Sequence, residues 1–205
     1  MTVEQLARTS PLARVSSRFA GLPDGVELAE EAFVAQAGLR VAPGGPAAAH
    51  VAERLGVALP GPARWVRGTT ATVVWLGPDE WLVTDPAVAP ADLEALLRAA
   101  VGPGAGAVVD VSAQRTTLRL RGAHARDLLA TGCAIDLHPR VFAAGSAAQT
   151  VLGQAGVILL ALDEHGTDYR ILIRASFAGY LAAWLLDAAT EFSTDPGAAR
   201  ADDSR

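Results

Sequence analysis

The stretch Thr70-Ala-Thr-Val-Val-Trp-Leu-Gly-Pro-Asp-Glu-Trp-Leu-Val-Thr84 decides what kind of sheet this chain builds. Thr70 to Leu76 has the β-branched and aromatic content of a strand, Gly77-Pro-Asp-Glu80 supplies turn residues, and Trp81 to Thr84 returns as a second strand. Strands joined this closely form an antiparallel hairpin, because a parallel pair needs a long crossover. Upstream, a strand is expected around Phe33 to Val41, then a helix with Pro46 in its first turn, Ala47 to Leu55 at helical spacing and Gly56 as the stop. Residues 60–68, with two prolines and two glycines, read as a loop.

Downstream, Pro90 to Val101 places Leu93, Leu96, Leu97 and Val101 on one face of a short amphipathic helix, closed by Gly102-Pro-Gly-Ala-Gly106. Strands are expected at Ala107 to Val111 and Thr116 to Leu120, where Leu118 and Leu120 alternate with Arg119 and Arg121, the pattern of a sheet with one wet face. A helix over Gly122 to Thr131 and strands at Ala148 to Leu152, Val157 to Leu162 and Tyr169 to Ile173 follow. A final helix runs from Ser176, its candidate N-cap, to about Glu191, with Phe177, Leu181, Trp184, Leu185 and Ala188 as its apolar stripe. The fold class is therefore α+β, in two lobes of mainly antiparallel sheet with packed helices, roughly 26–104 and 105–192. Residues 1–25, with scattered serines and Pro11 and Pro23, read as a flexible lead-in, and 193–205 as a disordered tail.

Composition narrows the chemistry. With 205 residues, 51% of them hydrophobic, the chain can bury a sizeable core and fits one to two domains. A net charge of -5 offers no footprint for a phosphate backbone, so nucleic acid is not an expected partner. All 17 basic residues are arginine, and the absence of lysine excludes a Schiff-base or P-loop lysine. A single cysteine, Cys133, permits no intrachain disulfide. The start of the chain lacks the basic and then apolar pattern of a signal peptide, and no apolar run reaches 18 residues, so no membrane association and a cytoplasmic location are expected.

No motif compels a catalytic reading. The histidines at 50, 124, 138 and 165 have no ligand-spaced partner, so no metal site is expected. His50 and His124 fall on helices and His165 in the turn Asp163-Glu-His-Gly166. Asp136-Leu-His-Pro-Arg140 is dense in polar groups and reads as a loop tied down by side-chain hydrogen bonds, in preference to one holding a catalytic base. The segment Gly102–Gly106 links a helix to a strand, the wrong order for a dinucleotide fingerprint. Cys133 has no adjacent base and reads as a small buried hydrophobe. Trp81, on the hairpin, is open between core packing and an interface.

Five segments resemble one family in order and spacing: Trp75 to Val83, Val109 to Thr116, Gly132 to Arg140, Ala148 to Gly153 and Arg174 to Leu185. Over about Leu28 to Phe192 the chain resembles the gamma subunits of heterotetrameric sarcosine oxidases, related to the glycine cleavage T-protein and other folate-binding aminomethyltransferase-like domains. The resemblance implies a T-protein-like fold and a non-catalytic structural subunit of a complex that demethylates sarcosine to glycine, with hydrogen peroxide and methylenetetrahydrofolate formed. It implies alpha, beta and delta partners that hold FAD, FMN, NAD, tetrahydrofolate and zinc, and no catalytic residue, cofactor or metal in this chain. T-protein relatives place an acidic residue in a strand where this chain reads Gln154-Ala-Gly-Val-Ile-Leu-Leu160, without a carboxylate. That departure weighs against the alternative of a stand-alone folate-binding aminomethyltransferase-like protein. An iron-sulfur repair factor would need a Lys-Gly-Cys flank that Cys133 lacks.

Two clusters carry the structural or interface expectations alongside Trp81. Asp110, Ser112 and Arg115 are expected to fix a turn by side-chain to backbone bonds and a salt bridge. Asp136, His138 and Arg140 are expected to order the loop after the third helix, and either cluster could reach a neighbouring subunit.

Overall fold

The structure is a computed structural model and describes residues 8–193. Two five-stranded antiparallel sheets make up the fold. The first has the order β3 (Trp65–Arg67), β4 (Thr72–Gly77), β5 (Glu80–Asp85), β2 (Ala35–Val41), β6 (Gly106–Asp110). The second has the order β1 (Glu27–Glu31), β7 (Arg115–Arg121), β10 (Asp168–Arg174), β9 (Ala155–Ala161), β8 (Ala147–Leu152). The expected hairpin is β4–β5, with Thr72 opposite Thr84, Trp75 opposite Trp81, and a register shift after Trp75 that lets the turn close.

Each sheet has one face against helices. On the first, Leu39, Val73 and Val83 pack under α1 (Pro46–Leu55) and α2 (Pro90–Val101), which contribute Val51, Leu55, Leu93 and Leu97. Gly56 ends α1 with φ +69, a left-handed conformation that favours a residue without Cβ. On the second sheet, Leu118, Leu120, Ile171 and Ile173 pack with α3 (Ala125–Ala130) and α4 (Ala175–Ala188). Because strand side chains alternate, the remaining faces meet: Val74 and Leu82 of the first sheet bury against Ile158, Leu160 and Leu172 of the second.

The inner faces are also laced along one side. The Trp65 indole N–H donates to Ala161 O at 2.9 Å and its backbone N–H to Gly145 O at 3.0 Å. Ala147 N–H donates to Ala63 O at 2.9 Å, and Gln149 Nε2 to Leu76 O at 2.8 Å. Burying backbone groups requires partners of this kind, and here they join the sheets.

Several expectations are corrected. The segment read as a flexible lead-in is structured from residue 8: a turn leads into a 3₁₀ helix at Ser16–Gly21, and Leu12 and Phe19 insert into the second sheet's core. Residues 1–7 and the tail from residue 194 lie outside the described residues. β1 was not expected, because Glu27-Leu-Ala-Glu-Glu31 has little strand propensity; Glu31 is held by Arg170 of β10 and Glu30 by the hydroxyls of Ser10 and Thr116. The loop over 60–68 contains β3. The sheets also depart from consecutive lobes at 26–104 and 105–192, since β1 joins the second sheet although it precedes every strand of the first, which itself runs on to Asp110.

The last helix starts one residue early. β10 runs directly into it, with Arg174 at the N-cap position and Ala175 N–H donating to Gln114 O, so Ser176 caps nothing. Its buried stripe is Ala178, Leu181, Ala182 and Leu185, while Phe177 is exposed. The two alanines let the helix approach the sheet closely, which rotates the larger Phe177 outward.

Tyr169 is fully buried in the second core with no hydrogen-bond partner for its hydroxyl. Burial pushes its pKa from 10.0 up to about 12. The folded chain keeps this phenol neutral where the unfolded chain ionises it. Its contribution to stability is therefore complete below pH 10 and lost as pH rises from 10 to about 12. Urea unfolding of Tyr169→Phe across this range should show less loss of stability than the unaltered chain.

Candidate functional site

At one end the inner faces diverge, leaving a cleft of about 240 Å³ lined by Glu31, Arg67, Thr70, Thr84, Thr117 and Arg170, among others. The register of β1, β7 and β10 places Glu31, Arg119, Asp168 and Arg170 on this inner face. Arg170 donates to both Glu31 oxygens, at 2.6 and 2.8 Å. Arg119 donates to both Asp168 oxygens, at 3.0 and 2.7 Å, and Arg121 approaches Asp168 at 3.5 Å. Bonding to Asp168 holds the Arg119 guanidinium above its ordinary value despite partial burial. These forked pairs are the strong geometry for arginine and carboxylate.

Other carboxylates near the cleft are similarly engaged. Asp85 accepts from the Thr70 hydroxyl at 2.6 Å and from Ala87 N–H at 2.8 Å, and on the opposite face of β1 Glu30 accepts from the hydroxyls of Ser10 and Thr116. A general base needs a carboxylate free to take a proton at a substrate. Glu31, Asp85 and Asp168 are instead tied to neighbouring side chains, so the arrangement fastens strands together.

The residues singled out from sequence fall in three places. Trp81 is buried in the first core, with its indole N–H donating to Pro60 O at 2.8 Å, so its ring is a packing element and presents no docking face. Asp110 and Ser112 do fix a turn: Asp110 Oδ1 accepts from Ser112 N–H at 2.9 Å and from its hydroxyl at 2.6 Å. Arg115 departs from expectation. Among the described residues it forms no salt bridge, because the register seats it opposite Arg174 rather than a carboxylate.

Asp136 Oδ1 accepts from His138 N–H at 2.8 Å and His138 Nδ1 accepts from Arg140 N–H at 3.2 Å, so these residues order their loop. Arg140 contributes its backbone, and its side chain is exposed. His124 lies just ahead of α3, stacked on Phe192 with ring centroids 4.8 Å apart. His165 sits in a turn closed by Asp163, which accepts from the amides of Gly166 and Thr167 at 3.0 Å. Partial burial works against ionisation of Asp163, but these bonds and the Thr167 hydroxyl outweigh it and hold the carboxyl below its ordinary range. Among the described residues no group of three or more His, Cys, Asp or Glu could hold a metal ion.

The residue that sequence reasoning missed is Gln36. Buried in β2, it donates its N–H to Ser112 Oγ at 2.8 Å, accepts from Val111 N–H at 2.9 Å and sends Nε2 to Arg115 O at 3.2 Å. It clips the crossover between β6 and β7, where the chain passes from one sheet to the other. A single glutamine inside an otherwise apolar strand, Ala35-Gln-Ala-Gly-Leu39, was the available signal.

Comparison with known proteins places this architecture. A model of the sarcosine oxidase gamma subunit family matches residues 40–191. The chain belongs to that family. It is 42% identical over 175 residues to a sarcosine oxidase subunit gamma of Corynebacterium sp. (strain P-1), covering 83% of each chain. It is also 42% identical over 170 residues to the subunit gamma of Corynebacterium sp. (strain U-96), covering 82% of this chain and 81% of that one. Among solved structures it is similar to a chain of the heterotetrameric sarcosine oxidase from Corynebacterium sp. U-96, solved with pyrrole 2-carboxylate. The TM-score is 0.83 and the identity 39%, covering 92% of this chain and 97% of that chain. The fold is shared with glycine cleavage aminomethyltransferase T from Bartonella henselae, with a TM-score of 0.58 and 18% identity, covering 87% of this chain and 50% of that chain.

The T-protein likeness raises folate as a group to test against this cleft. A cavity of about 240 Å³ is below the roughly 300–1,000 Å³ of sites that enclose a drug-sized ligand. Of Gln154 to Leu160, all but Gln154 lie in β9 up to Leu160, where Val157 and Leu159 face the helix-side core and Ile158 and Leu160 fill the sheet interface. Of this segment only Leu160 lines the cleft, and none of its residues offers a carboxylate there.

Two substitutions read out this geometry. Gln36→Ala keeps the backbone bonds to Ser112 and Val111 but removes the Nε2 bond to Arg115 O, and is expected to lower unfolding free energy by about 1 kcal/mol, measured by urea denaturation. Glu31→Gln replaces a charged, forked acceptor of Arg170 with a neutral one, and a loss of about 1–3 kcal/mol is expected in the same assay.

Proposed function

We infer that this chain is the non-catalytic gamma subunit of a heterotetrameric sarcosine oxidase. The observation that carries the reading is the near-complete mutual coverage with a chain of a heterotetrameric sarcosine oxidase, 92% of this chain and 97% of that one. The curated relatives, matched over 83% and 82% of this chain, carry the name subunit gamma. The cleft supports a structural role, since Glu31 within it and Asp168 and Asp85 close by are bound to internal arginines and hydroxyls.

In this reading, alpha, beta and delta partners hold FAD, FMN, NAD, tetrahydrofolate and zinc and carry the chemistry. Sarcosine is oxidised to glycine, oxygen is reduced to hydrogen peroxide, and the methyl carbon passes to tetrahydrofolate as methylenetetrahydrofolate. This chain supplies shape and contact area to the assembly. Among its described residues no helix is long and apolar enough to cross a membrane.

Co-expression with and without the three partners tests the assignment. The chain alone should not oxidise sarcosine, it should co-purify with untagged partners, and the partners expressed without it should assemble poorly or lose activity. Sarcosine oxidation by the isolated chain, or a fully active complex lacking it, would overturn the reading. Calorimetric titration of the isolated chain with tetrahydrofolate should show no saturable binding.

A further inference from the structure

The inner face of the second sheet carries five arginines on two strands, Arg115, Arg119 and Arg121 on β7 and Arg170 and Arg174 on β10. Three are matched by carboxylates within the chain. Arg115 and Arg174 sit directly opposite each other in the register, and among the described residues neither forms an ion pair or donates a side-chain hydrogen bond. Like charges facing each other across antiparallel strands repel. Glu80 acts on Arg115 from a distance, but its carboxylate is bound by Arg40 at 2.6 Å.

Both arginines line a depression of about 320 Å³. Its floor includes Ile158 and Leu172, which are 4% and 2% exposed, and Gln149 and Thr150 of β8 contribute polar groups to its wall. An apolar floor lowers the local dielectric and strengthens any charge pair formed above it. Burial, and then the neighbouring Arg174, push the Arg115 guanidinium below its ordinary value, with Glu80 opposing. α4 begins immediately after Arg174 with no side-chain cap and no acidic residue in its first turn, which adds positive partial charge beside the pair.

We propose that Arg115 and Arg174 form a receptor for a carboxylate of a partner subunit, an Asp or Glu side chain inserted into the depression on the open face of the second sheet. The proposal rests on the chain being a subunit of a sarcosine oxidase complex. Charge complementarity selects an acid, and the planar guanidinium fork suits a carboxylate. The surroundings select a protein segment over a bare ion: the depression is bordered by β8, the edge strand of the sheet, with Val151 45% exposed beside the charges.

The test compares assembly of the unaltered chain with that of the double variant Arg115→Gln/Arg174→Gln, using purified partner subunits across a sodium chloride series. Removing the pair is expected to weaken association at least about tenfold and to flatten its dependence on salt. The thermal midpoint of the isolated double variant should stay equal to or above that of the unaltered chain, because a repulsive pair is lost. Arg174→Gln alone, at an exposed position, should weaken assembly in the same direction, and Arg98→Gln, on the exposed face of α2, should leave it unchanged. Unchanged affinity and salt dependence in the double variant would overturn the proposal while leaving the subunit assignment intact. Saturable phosphate or acetate binding by the isolated chain, abolished in the variant with assembly unaffected, would overturn it in favour of a free anion. Failure of the unaltered chain to assemble would overturn the subunit assignment and this proposal with it.

Discussion

One displaced strand governs this structure. The first sheet is built from five consecutive strands, β2 to β6, whereas Glu27–Glu31, which precedes all of them, hydrogen-bonds to Arg115–Arg121 of the second. The second sheet therefore brackets the first in sequence, and the inner faces are held in one relative position by two covalent crossovers as well as by packing. Gln36 sits at the critical point, bonding through backbone and side chain to the passage between β6 and β7. Packing of Val74 and Leu82 against Ile158 and Leu172, and the lacing through Trp65 and Gln149, then follow from an arrangement already fixed.

That arrangement sorts the charges of the inner face along its length. Near the cleft, alternation on β1, β7 and β10 brings carboxylates and guanidinium groups into forked pairs, which satisfies side chains that face inward without full burial. At the other end of the same strands β1 has already ended, and no residue of that strand lies beside Arg115. The unmatched arginines are thus a product of strand length. A strand two residues longer could have supplied the missing acid from within the chain.

Much of the fold was legible because the strongest local patterns agreed with the final structure. The hairpin at Thr72–Asp85, the helix starting at Pro46 and ending at Gly56, and the helix over Pro90–Val101 have signals contained within a few residues. What stayed hidden depended on partners distant in sequence. Glu27–Glu31 is a strand only because β7, more than 80 residues away, pairs with it and Arg170 donates to Glu31, and Leu12 is buried only because the second core exists to receive it. The candidate residues follow the same division: Asp110, Asp136 and His138 act on neighbours within a few positions and were readable, whereas Trp81's environment and the bond between Ser112 and Gln36 require the tertiary arrangement. Membership of the gamma subunit family was legible for a further reason, since five ordered segments constrain far more than any one motif.

The displaced first strand also dictates the order in which the polypeptide can mature during synthesis. Glu27–Glu31 leaves the ribosome early but has no ladder partner until Arg121 has been translated. For the intervening time its edge must wait exposed or find a temporary contact. Pairings of such wide sequence separation slow folding and lengthen exposure to aggregation.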